Sequence, residues 1–293
     1  MMNEENMMSS TLIRNLTLAT TLLSGAALAG PLSVTVYNPG EQGIFPVSSS
    51  LLAGDKEAIL IDAQFDVENG QALVDLIKQS GKKLTTVYIS GGDPDFYFGL
   101  EPIKAAFPDV KVLADQHVVD HINKTKDDKL AYWGPILGQG APKSLTVPEV
   151  MTANHLTLEG QQIEVREMNT SNAYLWVPSI KTALGGVAVY GGVHVWMADS
   201  QTKAARTGWV EALNGLLALK PERVVPGHFL GAEPKGSDAV TFTRDYVQRF
   251  EQELAQVKHS GELVERLQKA YPALPVDDGL AIGAKVNTGE MKW

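Results

Sequence analysis

Two aspartates one residue apart and a distant histidine are the side chains of this sequence best suited to acid–base or metal chemistry. Asp93 and Asp95 flank Pro94 in the stretch "VYISGGDPDFYFGL", residues 87–100, where an apolar run turns through Gly91-Gly92. His228 closes a second apolar run, "VVPGH". Carboxylates and an imidazole on loops directly after strands can bind a divalent cation or move protons. In extended backbone, residues two apart face the same way, so Asp93 and Asp95 would converge. With no cation between them, their repulsion would raise one carboxyl pKa or hold His228 protonated. The competing reading is that Asp93-Pro94-Asp95 only caps the next helix and shapes a turn. Other chemistries are absent. The sequence has no Cys, which removes thiolate ligands and Cys nucleophiles. It has neither a G-x-S-x-G elbow nor a phosphate-binding Gly loop with Lys.

The surrounding pattern shows what must hold these residues. "LSVTVYN", "FPVSSSLLAG" and "EAILIDA" read as strands, the last ending near Asp62. "VENGQALVDLIKQSG" has helical spacing at Leu73, Leu76 and Ile77 and stops at Gly81. "LTTVYIS" is the strand that feeds the aspartate loop. A short helix ("GLEPIKAAFP"), a strand ("DVKVLAD") and a helix ("QHVVDHINKTKDDKLAYW") follow. Residues 134–150, with three Gly and three Pro, read as an irregular binding loop or lid, with Tyr132 and Trp133 at its entrance as pocket walls or as packing beneath it. A second strand-rich block comprises "HLTLEG", "QQIEVREM", "AYLWVPS", "KTALGG" and "GVHVWM". It is followed by the helix "KAARTGWVEALNGLLAL", the strand "ERVVPGH", and helical stretches around 236–258 and 261–270. Strands, helices, strands, helices, with hairpin spacing inside each block, imply two packed sheets with helices outside. No fixed-period repeat or low-complexity linker divides the chain.

Of the 293 residues 44% are hydrophobic, enough for a large core, and the formal net charge is −9. An acidic surface repels phosphate backbones, so nucleic acid is not an expected partner. "RNLTLATTLLSGAALAG" carries Arg14, an uncharged apolar run and Ala27-Leu28-Ala29, the order of a secretory signal peptide cut after Ala29. Glu4 and Glu5 are unusual before such a run; a start at Met7 or Met8 would remove them. Cleavage moves the net charge from −9 to −8 and leaves residues 30–293 as a single domain with C-terminal helices. The signal is of bacterial type. The expected location is therefore the periplasm or the medium, with no stable membrane insertion once the segment is gone. Asn123-Lys124-Thr125 is then not expected to carry a glycan.

In this order the landmarks resemble the metallo-β-lactamase superfamily. "SSSLLAGDKEAILIDA" is similar to its opening hairpin, with Asp62 at the end, and "VYISGGDPDFYFGL" stands where its His-x-His-x-Asp-His metal loop would be. "REMNTSNAYLWVPSIKTALGG" is similar to the segment bearing the next His and a bridging Asp, and "VVPGH" to the closing strand with its His. The resemblance spans most of residues 33–250 and implies an α+β fold, a four-layer αββα sandwich. It also implies metal-activated water attacking an ester, amide or phosphoester.

Residue by residue, the implied metal set is eroded. Gly91, Asp93 and Phe96 stand at the loop histidines, Asn169 at the middle His and Gly186 at the bridging Asp. Asp95 and His228 are kept. The expectation is therefore a hydrolase-like protein with a degenerate site and no cofactor. The alternative cofactor is a single divalent ion on Asp93, Asp95 and His228, oxygen-rich enough to favour Mn, Mg or Ca. The catalytic candidates are Asp93, Asp95 and His228. The pocket candidates are Tyr97, Tyr132, Trp133, Asn169 and His194, the last in "HVWMAD"; the expected ligand is a small molecule. Two other readings stay open: a non-catalytic binding protein using the same cleft, and a metallo-hydrolase whose donors come from His117, His121, His155 or His194. Most of those histidines are expected on helices or strand edges away from the loop. Asp62 is expected to brace the loop rather than act on substrate.

Overall fold

The structure is a computed structural model and describes residues 30–293. The expected signal segment, its cleavage after Ala29 and the question of the start Met fall outside those residues.

The first sheet has six strands in chain order: β1 (Ser33–Tyr37), β2 (Ser49–Ala53), β3 (Glu57–Ile61), β4 (Lys83–Tyr88), β5 (Lys111–Ala114) and β6 (Glu149–Val150). β1, β2 and β3 pair antiparallel; β3 through β6 pair in parallel. Parallel neighbours need crossover connections. α1 (Val67–Ser80) supplies the first, α2 (Pro94–Tyr97) and α3 (Leu100–Ala106) the second, and α4 (Gln116–Leu137) the third. Asp66 and Asp115 cap α1 and α4 by accepting from Asn69 N and Val118 N.

The second half comprises β7 (His155–Leu158), β8 (Gln161–Arg166), β9 (Tyr174–Val177), β10 (Thr182–Leu184), β11 (Tyr190–Gly191), β12 (Arg223–Val224) and β13 (His228–Phe229). Five of these form a sheet in the order β12-β10-β9-β8-β7, while β11 and β13 pair separately and in parallel. Its helices are α5 (Lys203–Ala218), α6 (Asp238–Leu254), α7 (Ser260–Ala270) and α8 (Asp278–Asn287).

Alternation along the strands builds the layers. Leu52, Ile59 and Ile61 of the first sheet meet Leu156, Ile163 and Leu175 of the second between the sheets. Their neighbours Leu51 and Leu60 point the other way, onto α1, α3 and α4 through Leu73, Ile77, Ile103 and Ile122. On the far side Tyr174 and Trp176 face Trp209 and Leu213 of α5 and Phe250 of α6. Strands buried on both faces explain the near-continuous apolar runs. The result is helix, sheet, sheet, helix, the expected αββα sandwich.

Three elements differ from expectation. α4 continues through Pro135 to Leu137, because Leu130, Trp133 and Leu137 keep helical spacing and pack on the core; the irregular segment is correspondingly shorter. "GVHVWM" is not a strand: β11 ends at Gly191 and residues 192–197 run without ladder pairing. α8 was not expected, since its apolar stripe is short.

Leu175 is fully buried between the sheets. Leu175→Ala should lower the unfolding free energy by about 2–5 kcal/mol in urea titrations. A loss under about 1 kcal/mol would contradict a packed intersheet core at this point.

Candidate active site

The aspartate loop is anchored before it begins. Ser90, just past β4, donates its N–H to Asp62 Oδ1 at 2.7 Å and its hydroxyl to Asp62 Oδ2 at 2.5 Å. The same hydroxyl accepts from Gly186 N at 2.6 Å. Asp62, just past β3, is buried and adopts a left-handed φ of 64°. Burial pushes its carboxyl up to about 7 against the two Ser90 hydrogen bonds, and the charge of Asp95 adds to the rise. Asp62 therefore braces the loop, as its place in the sequence implied.

Past Gly92 the chain enters α2, and the two aspartates part. Asp93 is the residue before the helix, but its side chain makes no capping bond. Its carboxylate pairs with the Lys129 ammonium and lies 3.4 Å from His121 Nε2; both partners are on α4. Burial pushes the Asp93 carboxyl up, but the hydrogen bonds and charges of His121 and Lys129 outweigh it and hold it well below the usual carboxylate range. Asp95, in the first turn of α2, is buried, and its Oδ2 is 2.7 Å from His228 Nε2. The backbone here is helical rather than extended, so the aspartates do not converge. Neither the mutual-repulsion reading nor the capping reading describes Asp93.

His228 is held on three sides. It opens β13 opposite Tyr190, whose ring stacks on the imidazole at 5.4 Å. Phe96 meets the same ring edge-on at 5.6 Å. The other ring nitrogen of His228, Nδ1, is buried and has no hydrogen-bond partner among the described residues. The side chains of Asp95 and His228 are only 8% and 13% exposed.

The replaced positions are filled. A Cβ on Gly91 would lie 2.6 Å from the Phe96 ring, so the ring covers that backbone. Gly186 has a φ of +77°, and a side chain there would run into the Ala173 carbonyl oxygen.

The pocket candidates scatter. Tyr97 is buried beside the loop, and its hydroxyl lacks a partner among the described residues. Burial and the charges of Asp93, Asp127 and Asp95 raise its pKa. Tyr132 is 66% exposed on α4 and meets Trp133 edge-on at 5.0 Å, while Trp133 packs edge-on against Phe45 and Phe65, so the pair belongs to aromatic packing rather than to a wall beside His228. Asn169 joins the start of α4: its N–H donates to Asp115 and its Oδ1 accepts from Gln116 N. His194 is a core residue 2.9 Å from the Tyr246 hydroxyl, and burial lowers its pKa. His121, expected away from the loop, lies against it. Sequence reasoning also missed Lys129, Tyr190 and Ser90. The signal for Lys129 was present: His121, Thr125 and Lys129 recur every four residues, one polar stripe on a helix.

Comparison with known proteins adds the following. A family model described as the metallo-beta-lactamase superfamily matches residues 43–175, which includes the aspartate loop and stops before Gly186 and His228. The solved metallo-beta-lactamase from Pontibacter korlensis is 17% identical, with a TM-score of 0.52 over 75% of this chain and 96% of its own. The crystal structure of the DIM-1 metallo-beta-lactamase is 13% identical, with a TM-score of 0.50 over 76% of this chain and 99% of its own. At such identities the likeness is one of fold. No curated protein matches the chain.

Proteins of this superfamily usually hold zinc, which takes about four donors at about 2.0–2.3 Å. The residues present do not fit it. Gly91 offers nothing and is covered by Phe96; Asp93 is engaged by an ammonium; Asn169 is bound at the start of α4. Gly186 has no room for a side chain, and the two retained donors are bonded to each other. Among the described residues no three His, Asp or Glu side chains come together as a metal set.

Two outcomes follow. Folded Asp62 keeps its proton to about pH 7, whereas the unfolded carboxyl loses it near pH 4. Its contribution therefore destabilises progressively as pH rises through that window, by up to about 4 kcal/mol, and is flat above it. Urea titrations should show the stability of Asp62→Asn, relative to wild type, rising between about pH 4 and 7. A pH-independent difference would refute the raised pKa. Separately, Gly91→Ala should cost about 1–3 kcal/mol by crowding Phe96. The cost should shrink in a Phe96→Leu background; strict additivity in that cycle would show that the two positions are independent.

Proposed function

For a chain that is a divergent member of the metallo-β-lactamase superfamily, we propose a hydrolase-like protein whose centre operates without zinc. The observation that carries this reading is the Asp95–His228 pair. Asp95 holds one imidazole nitrogen at 2.7 Å, and the other, Nδ1, is buried and without a partner among the described residues. A carboxylate that orients a histidine and leaves its second nitrogen free is the arrangement of a general base. His228 is then the group that takes a proton once a water reaches the enclosed Nδ1, Asp95 orients it and stabilises the imidazolium, and Tyr190 and Phe96 fix the ring plane. Asp93 belongs to a neighbouring charge cluster rather than to this pair. The substrate class is a small molecule carrying an ester, amide or phosphoester. Residues 14–29 support export to the periplasm or medium, and the net charge of −9 argues against nucleic acid as partner. No helix among the described residues is long and apolar enough to cross a membrane.

A second reading has its own support. Phe96 fills the space beside Gly91, and the side chains of Asp95 and His228 are nearly buried. A closed centre of this kind suits a protein that binds without turnover.

Elemental analysis of the purified protein, with an ester, lactam and phosphodiester panel run with and without chelator, separates the readings. The expected outcome is substoichiometric zinc and chelator-insensitive turnover that drops about a hundredfold or more in His228→Ala. Stoichiometric zinc overturns the proposal. Turnover equal in wild type and in both His228→Ala and Asp95→Ala also overturns it. No turnover on any substrate favours the binding protein.

A further inference from the structure

Asp93 and His121 come from different elements, yet their donor atoms Oδ1 and Nε2 are 3.4 Å apart. That is about the edge of a tetrahedral metal site with bonds of about 2.0–2.1 Å. The Lys129 ammonium sits beside both atoms: it contacts Asp93 Oδ1 and lies 3.2 Å from His121 Nε2. His121 has no counterpart in the metal loop that this chain resembles, so the pair is not an inherited half of that site. The cluster is partly open to solvent, with Asp93 and His121 side chains about two-fifths exposed and Lys129 one-quarter exposed. Ion pairs of this exposure typically stabilise a fold only slightly.

We propose that Lys129 is the resident cation of this centre. Its ammonium takes the place that a divalent ion would occupy between Asp93 and His121, and excludes such ions. The charge that relatives of this fold draw from metal is here supplied by a side chain, which chelators cannot remove. Two donors completed by water bind a divalent ion weakly but measurably once the competing charge is gone. Repulsion between an ammonium and a dication at this separation is large enough to change affinity by orders of magnitude. The inference rests on the zinc-free reading of the centre and extends it to a cause.

The test is isothermal titration of the full chain with zinc and with cobalt(II), following cobalt absorbance in parallel. Lys129→Met keeps most of the stem and removes the charge; Lys129→Gln is a second variant should the first misfold, and thermal melts check both. Either variant should bind zinc about tenfold or more tightly than wild type, and adding Asp93→Asn should abolish the gain. If neither folded variant gains affinity, or the gain survives Asp93→Asn, the inference fails while a zinc-free wild type leaves the functional reading standing. If wild type itself binds zinc stoichiometrically, both fail.

Discussion

One buried carboxylate sets the geometry of the loop end of this molecule. Asp62 lies past the end of β3, accepts two hydrogen bonds from Ser90 past the end of β4, and through the Ser90 hydroxyl reaches Gly186 N beyond β10. Three strand ends from two sheets are thereby tied at one point. A carboxyl in such a place loses its water, and only hydrogen bonds offset that cost; the rise of its pKa to about 7 is the part they leave uncompensated. The fixed strand ends determine where α2 starts. That start sends Asp93 outward to α4 and Asp95 inward to β13.

The separation of the two aspartates is therefore a consequence of helix geometry rather than of their own charges. An extended loop would have placed both carboxylates on one side, where a cation must hold them together. A four-residue helix beginning at Pro94 turns Asp95 away, so each carboxylate finds its own positive or donor partner: Lys129 with His121 for one, His228 for the other. Both charges are compensated by protein groups alone. The two carboxylates thus belong to two adjacent pairs rather than to one shared ionic centre.

The fold was legible because strands buried on both faces and amphipathic helices write long patterns. Leu51-Leu52 and Ile59-Leu60-Ile61 announced a covered sheet, and Leu73 and Ile77 the helix over it. The retained Asp95 and His228 were legible as isolated landmarks at the ends of strands. Their mutual bond was not, because it joins residues 133 apart in the chain. Lys129 and His121 were hidden for another reason. A polar stripe on a helix ordinarily faces solvent, and nothing in the pattern says that α4 lays this stripe against the loop. "GVHVWM" misled because alternation of apolar residues reads as a strand, while here Val193 and Val195 are buried against helices without ladder pairing. Tyr132 and Trp133 misled because the helix persists past them: they meet edge-on, with Trp133 packed on Phe45 and Phe65 and Tyr132 left exposed.

The altered positions are not vacancies, and this bears on what the chain can do. Gly186 approaches Ala173 on one side and Gly227 on the other: a Cβ on either glycine would meet backbone, and Gly227 lies directly before His228. This close backbone approach brings β13 to the place where His228 reaches Asp95. The residue at 186 thus has a structural duty that a bridging aspartate could not perform, and the same holds for Gly91 beneath Phe96. A side chain at Gly91 or Gly186 would disturb the packing beside the Asp95–His228 pair. The chemistry of the relatives and the geometry of this centre are alternatives within one scaffold. The contacts made by Phe96, Gly186 and Lys129 define this centre on their own terms.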